Sequence, residues 1–191
     1  MRTLLFTLTV VLLSCSGYES LTETKLPFVG SNLRLDGYYY SIGKDFPNGF
    51  NPDYVDVFIL NYNGIYFNAT HGSIDEDLDI DVIIEELDKK VQHRVDNIEL
   101  FKESRSSWGV FSTANDSAIV VQNWHEAANG GAYPIRTLEG TIVNDTTIHF
   151  HKLLGAYPNN KGGKKKIKAI DETYHFRSFS PKPDSTVVFI K

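Results

Sequence analysis

The chain is almost without sulfur: its 191 residues contain one cysteine, Cys15, and one methionine, Met1. No intramolecular disulfide can staple the fold, so stability has to come from packing. Positive charge is also short. Lys and Arg number 19 against 24 Asp and Glu, a formal charge of -5, which removes the basic footprint that a nucleic-acid partner needs. The longest apolar run, residues 4–13, is too short to cross a hydrocarbon core of ~30 Å as a helix. Neither Gly-x-Ser-x-Gly nor His-Glu-x-x-His occurs, so no nucleophile elbow and no helical zinc site is present. No catalytic residue, metal ligand or cofactor is assigned. Aromatic residues are plentiful instead, with 10 Tyr and 12 Phe, and they favour a sheet over a helix bundle.

The start of the chain is the most specific signal. Arg2 precedes the apolar run, and Ser14-Cys15-Ser16-Gly17 follows it, the layout of an export signal with a small-residue processing site. Leu12-Leu13-Ser14-Cys15 resembles the bacterial lipobox, in which the cysteine is diacylated and becomes the mature N-terminus. The resemblance implies a lipoprotein signal peptide at 1–14, a membrane-lipid anchor at Cys15 and a place in the cell envelope. No aspartate follows Cys15, which under some bacterial sorting rules implies the outer membrane. Residues 15–30 are polar and without periodicity at first and read as a lipidated tether, with a folded domain over 31–191.

Within that domain, residues 33–42 read as a first strand and 43–52, rich in Gly, Pro, Asn and Asp, as a loop. Residues 55–62 and 65–68 flank Asn63-Gly64, a hairpin signal that predicts a type I′ turn. The period then changes. Ile80, Ile83, Ile84, Leu87, Val91 and Val95 recur at helical spacing, and Ser73 with Glu76 has the form of a capping box. Further strands are predicted at 108–113, 118–124, 133–143, 146–153, 173–179 and 186–190, about nine in all, mostly as sequential hairpins.

Trp108-Gly109-Val110-Phe111, the pair Leu138-Glu139-Gly140-Thr141-Ile142 and Asn144-Asp145-Thr146-Thr147-Ile148, and Tyr174-His175-Phe176-Arg177 resemble the lipocalin-like, or calycin, group of small bacterial lipoproteins. The resemblance implies a mainly β fold, an antiparallel up-and-down barrel, here with one inserted amphipathic α-helix. In place of the Gly-x-Trp of eukaryotic lipocalins stands Asp36-Gly37-Tyr38.

Other candidate chemistry is better read as ordinary structure. Asp75, Asp77, Asp79 and Asp81 alternate like calcium ligands, but Ile80 occupies the position of the required glycine, so an acidic helix start is preferred. His149 and His151, with His175 beside them, would face outward if Ile148, Phe150, Tyr174 and Phe176 face inward. Lys161, Lys164, Lys165, Lys166 and Lys168 read as a solvated loop that could also meet lipid phosphates. Asp116-Ser117, Asp145-Thr146 and Asp184-Ser185 resemble a bacterial O-glycosylation motif and are equally normal turn residues.

The aromatics carry the functional expectation. Tyr39, Phe58, Tyr66, Trp108, Phe111, Trp124, Phe150, Tyr174 and Phe176 lie on predicted strands and would line a barrel that takes a small hydrophobic ligand. The alternative is a filled barrel that serves as a structural module or docks on an envelope protein partner.

Overall fold

Side-chain alternation along most of the chain builds one sheet that closes on itself. The computed structural model describes residues 20–46, 49–73, 79–125, 134–155 and 166–190, with the backbone alone at 44–46 and 49–53. The signal segment with Cys15 lies outside these residues, as do Asp75, Glu76, Asp77, Glu126, the turn at 129–131 and Lys161, Lys164 and Lys165. Eight strands run in chain order: β1 (Gly37–Phe46), β2 (Gly49–Leu60), β3 (Ile65–Ser73), β4 (Trp108–Ala114), β5 (Ala118–Trp124), β6 (Ile135–Asn144), β7 (Thr147–Gly155) and β8 (Lys166–Ser178). Each pairs antiparallel with its neighbour, and β8 returns to β1, so the sheet is a closed barrel without edges. The main helix, α1 (Ile80–Asp96), and a short α2 (Ile98–Phe101) are inserted between β3 and β4. The mainly β, up-and-down barrel with one principal helix is thus the observed architecture.

Several local expectations change. The segment 43–52 is mostly β1 and β2, because cross-strand pairing from Lys44↔Asn51 to Phe46↔Gly49 overrides its loop-like composition. Residues 186–190 do not form a ninth strand. Once β8 meets β1 no edge is left to receive one, and Val187 and Ile190 pack instead on the outside of the sheet. Helix α1 is capped by Asp79, whose Oδ1 accepts from Asp81 N at 3.1 Å, while Ser73 still belongs to β3. Ile80 is exposed, and the buried stripe is Ile83, Ile84, Leu87, Val91 and Val95. The Asn63-Gly64 hairpin forms, but by a different turn. Gly64 N donates to Asn61 O at 2.9 Å and only Gly64 in that turn has a positive φ, +80°, which is a type I turn closed by a glycine bulge.

Gly64 is also pressed against the backbone carbonyl of Leu26, which a Cβ would strike. Gly64→Ala is therefore expected to lower stability by about 2 kcal/mol, from the forced left-handed conformation and the displaced strap together. Urea titration of the variant checks this, and a midpoint equal to that of the parent would rule out the close approach.

The sheet buries both faces. Inside the barrel are Leu33, Leu35, Tyr39, Phe58, Leu60, Tyr66, Phe111, Ile119, Val121, Leu138, Ile142, Ile148, Phe150, Leu153, Ile170 and Tyr174. Outside, Tyr38, Val55, Val57, Ile59, Ile65, Phe67, Trp108 and Val110 are covered by α1 and the C-terminal tail. Asp88 of α1 fastens that layer: Arg177 grips it at 2.6 to 3.1 Å and Tyr38 Oη donates to it at 2.7 Å. Burial opposes the Asp88 charge, but these bonds hold its carboxyl below the usual range.

The two ends differ. The turns at 61–64, 115–117 and 145–146 gather at one end, which is closed. Leu33 and Leu35 plug it, Arg34 N donates to Asp145 O at 3.0 Å, and Phe28 lies 6.0 Å from the ring of Phe111. The Lys182 ammonium donates to the carbonyls of Leu35 and Leu60 there, and burial lowers its pKa to about 8. The segment expected as a tether is docked from Leu21 onward rather than free. At the opposite end lie Ser73, Trp124, Ile135, Gly155 and Lys166, whose connections are outside the described residues.

Candidate functional site

The predicted lining aromatics divide by face. Tyr39, Phe58, Tyr66, Phe111, Phe150 and Tyr174 point into the barrel, and Phe176 packs partly against them. Trp108 and Trp124 point outward instead, Trp108 under α2 with its Nε1 donating to Phe101 O at 2.7 Å, and Trp124 against Phe189 at 5.6 Å. The inner rings do not leave a hollow at the closed end. The Phe58 ring centroid lies 4.9 Å from Tyr174, 5.3 Å from Tyr66, 5.7 Å from Tyr39 and 6.3 Å from Phe150, so these side chains form a packed floor.

Above the floor, away from the closed end, the interior turns polar. Strand β2 supplies Tyr54 and Asp56 from the same face as Phe58, β3 supplies Tyr66 and Asn68, β5 Asn123, β6 Arg136, and β8 Glu172 and Tyr174. Tyr174 Oη donates to Asp56 Oδ2 at 3.0 Å and lies 3.3 Å from Glu172 Oε2; both acids are buried. Arg136 Nε donates to Asn123 Oδ1 at 3.2 Å. Burial alone would lower the guanidinium pKa, but Tyr66, Asp56, Tyr174 and Glu172 around it raise it, so Arg136 stays charged. The same burial, with Asp56 and Glu172 nearby, raises the phenols: Tyr54 is pushed up to about 12, and Tyr66 and Tyr174 higher still.

Two polar atoms in this tier stand out. The hydroxyl of Tyr66 and Oδ1 of Asn68 are buried and have no hydrogen-bond partner among the described residues. Arg136 faces the Tyr66 hydroxyl without closing a well-formed bond to it. A buried orphan costs about 1–3 kcal/mol, so two of them on one strand face point to something else that completes their bonds.

The polar tier was missed in the sequence, although a trace of it was present. Asp56 interrupts an otherwise apolar run at 55–60, which in a strand buried on both faces marks an inward charge. Arg136 and Glu172 carry no such mark. The histidines face outward: His149 Nε2 lies 2.9 Å from Asp171 Oδ1, and Ile148 and Phe150 beside it are buried. Among the described residues no group of three or more His, Cys, Asp or Glu is placed to hold a metal ion. Asp116-Ser117 and Asp145-Thr146 sit in turns where Ser117 and Thr146 bond to Asn115 and Asn144. Outside the barrel, Thr70, Lys89, Lys90, His93 and Arg94 line an open groove of about 260 Å³ beside α1.

Comparison with known proteins finds no significant match to a protein-family model, to a curated protein or to a solved structure.

Proposed function

We propose that this chain is an envelope lipoprotein of the lipocalin-like kind, anchored through acylated Cys15, that binds a small, largely hydrophobic molecule by a polar head in the polar tier of its barrel. The observation that carries the reading is two buried atoms on the inner face of β3 without a partner among the described residues, Tyr66 Oη, which faces Arg136, and Asn68 Oδ1. One can donate and the other accepts, which suits a hydroxyl or amide head. A carboxylate head would meet Asp56 and Glu172 as well as Arg136, and that repulsion disfavours it. The apolar body would lie above the packed floor. The role is binding, at the outer membrane, with no cofactor.

Tyr66→Phe separates this from a filled barrel. If the hydroxyl serves a ligand, its removal leaves the empty protein as stable as before or up to about 1 kcal/mol more stable, while binding of a pyrene-labelled fatty alcohol weakens about 3- to 10-fold. Fluorescence titration and urea denaturation of the full chain give both numbers. A clear loss of stability with unchanged binding would show that the hydroxyl serves the fold. That result would favour the second reading, an envelope interaction module, which the ring-filled floor already supports at the closed end.

A further inference from the structure

The groove beside α1 is lined on the barrel side by a residue that an irregularity in the wall turns outward. Phe58 pairs with Asn68 and Val57 with Thr70, so β3 carries one extra residue, Ala69, at that point. Such a bulge re-aims the side chains that follow it. Ala69 is fully buried in the outer core, and Thr70 next to it lines the groove. In an unbroken strand Thr70 would share the inward face of Asn68.

Helix α1 supplies the other wall with Lys89, Lys90, His93 and Arg94, whose three- and four-residue spacings bring them to one face. Of the acids on α1, Glu86 holds Lys89 at 2.7 Å, Asp88 is taken by Arg177 at 2.6 Å, Asp96 accepts from Gln92 at 2.7 Å, and Glu85 acts on Lys89 only through space. Arg94 is half-buried with its guanidinium 4.1 Å from the centre of the Phe101 ring, and no carboxylate among the described residues pairs with it. Burial lowers its pKa and no neighbouring charge offsets that effect. A cation withdrawn from water without a counter-charge carries a desolvation cost that a bound anion would offset.

The negative end of the helix dipole accounts for His93 and Arg94, which stand in the last turn of α1. It does not account for Lys90, which lies more than a turn before Asp96 and beyond the reach of that field. The groove offers donors throughout: a guanidinium fork, the Lys90 ammonium, an imidazole and the Thr70 hydroxyl. A phosphate monoester presents three terminal oxygens and up to two negative charges, so it engages more of these donors than a carboxylate does. The groove volume of about 260 Å³ exceeds the phosphoryl group and leaves room for the carbon skeleton esterified to it.

We propose that the α1 groove binds a phosphate monoester, with Arg94 and Lys90 on the phosphoryl oxygens and Thr70 donating its hydroxyl. The site is separate from the barrel interior and depends neither on a ligand there nor on acylation of Cys15. The ester is a soluble molecule or a lipid headgroup, and the groove recognises the phosphate dianion that the two share.

Lysine acetylation of the full chain tests this, with the rate at each site read by peptide mass spectrometry. In one arm the protein is in nonionic detergent with or without glycerol phosphate, at an ionic strength held constant with sodium chloride. In the other it is reconstituted in phosphatidylcholine vesicles with or without phosphatidic acid. Lys90 is expected to react several-fold more slowly in the presence of the soluble ester or of phosphatidic acid, while Lys152, paired with Glu139 elsewhere on the wall, keeps its rate. Arg94→Gln is expected to raise the ester concentration needed for half-protection about tenfold, the effect of one lost charge-assisted contact. If that variant fails to fold, Lys90→Gln is read at Lys89, where protection falls likewise. Protection by the soluble ester supports the site with a soluble ligand, and protection on vesicles alone supports it with a headgroup. No protection in either arm overturns the site, as does protection that Lys152 shares or that survives Arg94→Gln unchanged. Sulfate that protects as well as the ester overturns phosphate as the group recognised.

Discussion

Arg136→Met is expected to lose about 3 kcal/mol of folding stability at neutral pH and, if the polar tier holds a ligand as proposed, to abolish its binding. The side chain keeps most of its volume, so packing changes little. What disappears is the positive charge that faces Asp56, Glu172 and the Tyr66 hydroxyl inside the barrel, together with the bond to Asn123 Oδ1. Removal of one partner from a buried charge cluster costs more than the cluster contributes, because the remaining charge keeps its desolvation penalty. The pH dependence identifies the cause. A carboxylate that loses buried counter-charge binds protons more tightly in the folded state than in the unfolded chain, so the penalty is present at neutral pH and fades as pH falls. Urea denaturation of parent and variant at pH 7.5 and pH 5 is the measurement, with the gap expected to shrink at the lower pH. A gap of equal size at both pH values would assign the loss to packing, and the cluster would then not be electrostatic in origin.

How much of this was legible in the sequence depended on whether a strand shows one apolar face or two. Strand β5 was read with its observed ends, and β4 to within one residue, because turn residues at 115–117 separate them sharply. Helix α1 was legible from its period, and the outward placement of His149 followed from the burial of Ile148 and Phe150. The lining failed at Trp108 and Trp124 for a definite reason. Alternation identifies the inward face only when the other face is wet, and here α1 and the C-terminal tail cover the outside of the sheet. The same double burial hides Asp56, since Val55, Val57 and Ile59 face one core while Phe58 and Leu60 face the other. The β1–β2 hairpin was unreadable because composition reports local preference, whereas the ladder from Lys44 to Phe46 is imposed by its neighbour. The polar tier needed the closed barrel itself. Arg136 on β6, Asp56 on β2 and Glu172 on β8 are far apart in sequence, and only closure between β8 and β1 brings them to one interior.

Phe58→Ala is expected to cost the most, about 3–5 kcal/mol, with a fall in Tm on the order of 10 °C. Phe58 is the ring on which the floor is built: Tyr39, Tyr66, Phe150 and Tyr174 all touch it, and none of the five is more than 1% exposed. Those neighbours are held from other strands and cannot collapse freely into the space, so the cost includes a cavity as well as lost transfer energy. The cavity should be dry and apolar, and it should bind a benzene-sized probe that the parent excludes. Calorimetry with and without benzene separates the two contributions, since the variant recovers stability with ligand concentration and the parent does not. This outcome also bears on the ligand. A parent protein that already takes benzene at the floor, or a variant that loses under 1 kcal/mol, would mean that the rings leave room, and a wholly apolar ligand could then sit deep in the barrel. A parent that excludes the probe confines any binding to the polar tier, where Tyr66 Oη and Asn68 Oδ1 have no partner among the described residues.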